Sequence, residues 1–190
     1  MAVTSGYALS LPATWIPIPT GFPWQSFDDP TAWATEVADS LLEGLDAPQE
    51  VRSGVREAAE ALQTMPSPLP GALERFWRVE GIGGPTVVAH LYVTESDVDS
   101  AEGLMDMVRA GIGGRVQTWR VWTDTAFEHA IEAVIVAEID GATVASVRQI
   151  GVRAGLVYLL DFLTEDPLLL EAVQSELQDI FRSIHFATGV

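Results

Sequence analysis

Apolar residues recur along this chain in two periods, and the change from one to the other marks its main division. From Trp33 they return at every fourth position, as Trp33, Val37, Leu41 and Leu45, flanked by Ala34, Ala38 and Leu42, while Glu36, Asp39 and Glu43 take the other faces. That is the stripe of an amphipathic helix with an acidic outer surface. Asp29 followed by Pro30 marks its start, an N-cap before a residue whose φ is already helical and whose missing N–H costs nothing there. Asp46 and Pro48 restart the pattern, and Val51, Val55, Ala58 and Leu62 form a second stripe that stops before Pro66, Pro68 and Pro70. Residues 31–64 are therefore expected to form an αα-hairpin.

Beyond the prolines the period falls to two. Leu73 to Val79 and Val87 to Val93 alternate and are joined by Gly81-Ile82-Gly83-Gly84-Pro85, which predicts two antiparallel strands and a glycine-rich turn. Ser100 or Asp99 caps a helix carrying Ala101, Leu104, Met105 and Val108 that ends at Gly111, before a strand from Arg115 to Trp122. Ile131 to Ile139, Asp140-Gly141 and Ala142 to Ile150 form the clearest hairpin, because Asp-Gly supplies the positive φ angles of a type I′ turn. Leu156 to Leu163 is apolar on both faces except at Asp161 and reads as a central strand. Asp166-Pro167 opens a last helix over 167–182 with Leu169, Val173, Leu177, Ile180 and Phe181 on one side.

Ahead of these elements, Tyr7 to Leu11 alternates like a short edge strand and meets Pro12. Prolines 17, 19, 23 and 30 then punctuate a stretch with Trp15, Phe22, Trp24 and Phe27, so residues 1–30 are expected to form a strap with its aromatics tucked in. The whole, residues 1–190, reads as one α+β domain: an antiparallel β-sheet over 73–163 flanked by helices, with an N-terminal αα-hairpin.

Charge narrows the partners. Ten Arg and no Lys oppose 27 carboxylates, a formal net charge of −17. Such a field repels phosphate backbones and anionic membrane surfaces, so nucleic acid and membrane are not expected, and a basic protein is the partner it would steer. Solubility alone is the plainer reading of the same charge. The lack of Lys and Asn beside many Ala, Gly and Arg suggests a GC-rich genome, as in many actinobacteria. With no cysteine, there is no disulfide framework, thiolate nucleophile or Cys-ligated metal. The N-terminus has neither a basic segment nor an apolar stretch, and no run approaches the ~20 apolar residues of a membrane span, which makes the cytoplasm the expected compartment.

Two stretches resemble the fold family of the photosystem II PsbP subunit and the yeast Ran-binding Mog protein. Leu9-Ser10-Leu11-Pro12-Ala13-Thr14-Trp15 is similar to that family's opening strand and Pro-x-x-Trp turn, and Asp179 to Phe186 to its closing helix and short last strand. The resemblance implies a PsbP/Mog-like sandwich and protein binding more often than catalysis, and it carries no functional residue across. Residues 31–64 depart from it, since the family has less helix there.

Candidate chemistry is sparse. Gly81-Ile82-Gly83-Gly84 recurs as Gly111-Ile112-Gly113-Gly114, but both precede strands and neither is followed by Lys, so simple turns are expected rather than phosphate cradles. His90, His129 and His185 lie more than 30 residues apart, without the i, i+4 spacing of a helical metal site, and half-buried rings are expected for the first two. Glu132, Glu138 and Asp140 share a strand face with Val134 and Val136 and read as solvated. Arg148 falls on the apolar face of Ile135 and Ile150, where a guanidinium needs a carboxylate, an anion or the sheet edge. Trp119 and Trp122 point to opposite faces, so at least one belongs to the core.

No catalytic, cofactor-binding or metal-ligating residue is assigned, and no cofactor is expected. The leading expectation is a non-catalytic protein-binding domain, an adaptor, inhibitor or immunity-type protein, engaging a partner through Glu36, Asp39 and Glu43 of the acidic hairpin and Trp24 of the strap. Two alternatives stand beside it. One is a small-molecule-binding or enzymatic domain with a pocket between sheet and helices built around Arg148, Trp119 and His90; the other is a structural subunit of a larger assembly.

Overall fold

The computed structural model describes residues 6–79, 84–109 and 111–187. In chain order the elements are β1 (Tyr7–Ala8), β2 (Trp15–Ile18), α1 (Pro30–Leu41), α2 (Gln49–Thr64), β3 (Glu74–Arg78), β4 (Val87–Glu95), α3 (Ala101–Met107), β5 (Arg115–Trp122), β6 (His129–Ile139), β7 (Ala142–Arg153), β8 (Leu156–Thr164), α4 (Pro167–Arg182) and β9 (His185–Phe186). The seven-stranded sheet runs β2-β3-β4-β8-β7-β6-β5 with every neighbouring pair antiparallel. The strand apolar on both faces, β8, lies at its centre as expected. β1 pairs separately with β9, which joins the two ends of the chain.

Local chemistry explains the boundaries. Asp29 accepts from the Ala32 N–H and Asp166 from those of Leu168 and Leu169, each one residue ahead of a helix-opening proline. Ser100, rather than Asp99, caps α3 by accepting from the Gly103 N–H. Asp140 and Gly141 turn the β6–β7 hairpin at φ +51° and +83°. Of the repeated glycine motif, Gly111, Gly113 and Gly114 all take positive φ in the turn between α3 and β5, whereas Gly81–Gly83 lie outside the described residues.

Helices cover both faces of the sheet. On one, α4 lays Leu170, Val173, Leu177, Ile180 and Phe181 against Trp15, Phe76, Leu91, Val147, Tyr158 and Leu160. On the other, the α1–α2 hairpin covers the β2–β3–β4 end through Trp33, Ala34, Val37, Ala59 and Leu62, while α3 covers β6 and β7 through Leu104 and Val108. Three expected core positions depart from the pattern. Leu45 is 54% exposed because α1 stops at Leu41; Ala58 faces a groove described below; and Leu170 displaces Leu169 as the buried residue of the first turn of α4. Among the described residues no helix is long and apolar enough to cross a membrane.

Candidate functional site

Antiparallel register places Arg75, His90, Asp161, Arg148, Ala133 and Trp119 in one row across β3, β4, β8, β7, β6 and β5. All six project from the face that carries the hairpin and α3. The three residues expected to build a pocket, Arg148, Trp119 and His90, therefore share a face, yet they form no common site. Arg148 is fully buried and His90 nearly so, at 0% and 3% exposure, while Trp119, beyond the cover of α3, is 55% exposed.

The reason is that helix ends close over the row. Arg148 donates from Nε and Nη2 to the two oxygens of Asp161 at 3.2 and 3.3 Å, and from Nη1 to the Val108 carbonyl at the end of α3 at 2.7 Å. Ser146 donates to Asp161 at 2.6 Å. Arg75 caps α2 in the same manner, donating to the carbonyls of Leu62 and Gln63 at 2.6 and 2.9 Å. Asp161, the lone exception in an otherwise apolar strand, is thus the carboxylate that Arg148 requires. His90 lies between the two arginine clamps with Nε2 buried and unpartnered. Burial, reinforced by the Arg75 charge, lowers its pKa to about 4. The row fastens two helices onto the sheet.

The acidic hairpin is open. Glu36, Asp39 and Glu43 form an exposed stripe along and just beyond α1, with Asp39 paired to Arg52 of α2 at 3.4 Å. The strap reaches the same place. Trp24 stacks on Phe27 with ring centroids 6.2 Å apart, and both line a shallow cavity of about 180 Å³ that Glu36 and Ser40 also border. Trp24 and Glu36, more than a turn of sequence apart and on different elements, are thereby brought onto one concave surface. Along the far side of α2 runs a second, apolar groove of about 570 Å³ bordered by Leu41, Val51, Val55, Ala58 and Trp77. A pocket between sheet and helices thus exists, but built from other residues than those expected.

Glu132 corrects another expectation. It is 4% exposed, not solvated, because α4 crosses this end of the sheet and lowers two glutamines onto it. Glu138, on the same face but past the end of α4, is exposed as expected and accepts from Thr143 at 2.6 Å. On the other side of α4, Glu176 accepts from Arg78 through Nε and Nη2, both at 2.9 Å, and from the Trp15 indole at 2.6 Å. The Arg78 bonds hold its carboxyl below the usual range against the opposing effect of burial. Trp122 is the core member of the tryptophan pair, packed beneath the Arg182 guanidinium at 4.6 Å. Among the described residues, no three or more His, Asp or Glu are placed to hold a metal ion. Arg75 was not singled out in the sequence, and the burial of Glu132 could not be read there, since the glutamines that cover it lie 42 and 46 residues along the chain.

No protein-family model matches the sequence, and no curated protein matches it significantly. Among solved structures, LpqN of Mycobacterium tuberculosis, described as involved in cell envelope biogenesis, is 13% identical over 96% of this chain and 83% of its own, with a TM-score of 0.47. Cyanobacterial PsbP from Synechocystis, solved in solution, is 10% identical over 97% of this chain and 89% of its own, with a TM-score of 0.50. At that identity the likeness is one of fold: the chain has a PsbP-like α+β architecture.

Proposed function

We propose that this protein is a non-catalytic protein-binding domain whose partner seats on the surface shared by the strap and α1. The observation that carries this reading is the juxtaposition of Trp24, Phe27 and Glu36 around one concavity, continued by the exposed carboxylates of Asp39 and Glu43. An aromatic anchor beside uniform charge is how interfaces combine affinity with steering. The complementary partner carries an apolar side chain for the Trp24–Phe27 cavity and basic residues around it. The net charge of −17 draws such a partner at low ionic strength.

A photo-crosslinking residue at position 36, compared with one at position 171 on α4, tests this in cells. Expected is a discrete adduct from position 36 alone, lost when Trp24→Ala or the pair Asp39→Lys/Glu43→Lys is added to the same protein. Adducts that ignore both variants, or their absence, overturn the proposal. The apolar groove beside α2 favours a second reading, a small apolar ligand held between sheet and helices. Displacement of a bound fluorescent fatty acid by Val55→Arg, without effect of Glu36→Lys, would select it.

A further inference from the structure

The sheet ends on two edges of different character. At one, β2 is four residues long and contains Pro17, which has no N–H to offer a further strand. At the other, β5 runs for eight residues and pairs only with β6 among the described residues. Antiparallel strands turn alternate N–H and C=O groups to either side, so half of the β5 main chain faces outward with no strand there to receive it. Register then sorts the side chains of β5. Val116, Trp119 and Val121 stand opposite Ile135, Ala133 and Ile131 on the α3 face, whereas Arg115, Thr118 and Arg120 stand opposite Val136, Val134 and Glu132 on the α4 face. The register shift across Gln117 keeps each row on its own face; without it Val116 would share a face with Thr118 and Arg120.

The apolar row is open. Trp119 and Val121 are 55% and 50% exposed and are neighbours on one strand face, which makes the end of β5 an apolar patch rather than a scatter of single residues. A protected edge would carry a charge in that row, but here the charges lie on the other face. Arg115 is exposed with no carboxylate in ion-pair reach among the described residues, and Arg120, 48% exposed, engages Glu132 through Nη2 at 3.0 Å. No acidic residue occurs in β5, although the chain as a whole carries −17. We propose that β5 is a docking edge for an extended peptide segment of another protein, added as an eighth strand and alternating apolar residues with one or two carboxylates. Its backbone takes up the outward N–H and C=O groups, its apolar side chains cover Trp119 and Val121, and its carboxylates meet Arg115 and Arg120. A second copy of this chain matches the edge poorly, since β5 against β5 offers neither arginine a carboxylate and brings two bodies of −17 together. The same net charge limits how acidic the segment can be.

This edge lies at the end of the sheet away from β2 and the strap, so its test is separate from that of the surface proposed above. A displayed library of random dodecapeptides is panned on the parent protein, with counter-selection on Trp119→Thr/Val121→Thr, which places a strand-forming polar residue at two exposed positions. Expected are peptides that alternate apolar residues with Asp or Glu. A synthetic copy of the enriched sequence should slow hydrogen exchange at every second amide from Thr118 to Trp122. It should bind about tenfold more weakly to Trp119→Thr/Val121→Thr, and up to about fivefold more weakly to Arg115→Gln, the worth of one exposed ion pair. Alternating protection is the signature of an added strand, because a ligand held by side chains alone leaves the outward N–H groups free to exchange. The idea is overturned if no peptide is enriched over the counter-selection, if the bound peptide leaves those amides unchanged, or if the protein alone sediments as a dimer that Trp119→Thr/Val121→Thr dissolves.

Discussion

Replacing His90 by leucine should remove a defined slice of the protein's acid sensitivity. His90 is 3% exposed, between Arg75 on β3 and Asp161 on β8, with Tyr92 beside it at 6.2 Å between ring centroids. In the unfolded chain its pKa returns to 6.5, whereas burial and the Arg75 charge hold it near 4 in the folded protein. Between those values the unfolded state binds the proton that the folded state refuses, so stability rises with pH across the interval and falls on acidification. Each pH unit accounts for up to about 1.4 kcal/mol, or about 3 kcal/mol from neutrality down to pH 4. Below pH 4 both states are protonated and the contribution is constant. Near pH 7 the substitution should change stability by only about 1 kcal/mol, since the Nε2 it removes has no hydrogen-bond partner. Urea unfolding of parent and His90→Leu at intervals from pH 7.5 to pH 4 provides the assay. The carboxylates are common to both proteins and cancel, so the variant should gain on the parent as pH falls. Two curves that stay parallel through this range would refute the account of His90.

Three further outcomes follow from the same geometry. Arg148→Met should cost about 3–5 kcal/mol in chemical denaturation by leaving Asp161 buried and unpaired, and Arg148→Met with Asp161→Leu should recover most of it; equal losses in both would count against a pair-specific effect. Glu176→Gln should lower the melting temperature at pH 7, with a loss of about 1 kcal/mol for this partly exposed pair. Because the folded pKa of Glu176 is depressed, its contribution is present above the ordinary carboxylate range and lost as pH falls through the folded value, so the two melting temperatures should draw together as the pH is taken below the ordinary carboxylate range. Gly151→Ala would set a Cβ 2.6 Å from the Phe127 ring, which is stacked on Phe181, and should destabilise by about 1–3 kcal/mol, readable as faster amide exchange in β7 and α4.

The chain's own pattern determined the elements of this protein, because caps, turns and periodicities act over a few residues. Asp29-Pro30, Asp166-Pro167 and Asp140-Gly141 each mark a boundary that needs no tertiary support to be recognised. The αα-hairpin and the central position of β8 were legible for the same reason, whereas the PsbP-like architecture was implied by the resemblance of Leu9 to Trp15 and Asp179 to Phe186. Even the Arg148–Asp161 pair was half visible, as two charges each alone on an apolar strand. Tertiary structure decided which faces stayed open. Glu132 and Glu138 sit six residues apart on one strand face, yet the first is roofed by Gln174 and Gln178 and the second is not, since α4 crosses only one end of the strand. Likewise Arg148 and His90 could not be known as sealed, nor Trp119 as exposed, until α3 and the hairpin were laid down. Burial on a sheet face depends on where a remote helix lands, and strand periodicity carries no information about that.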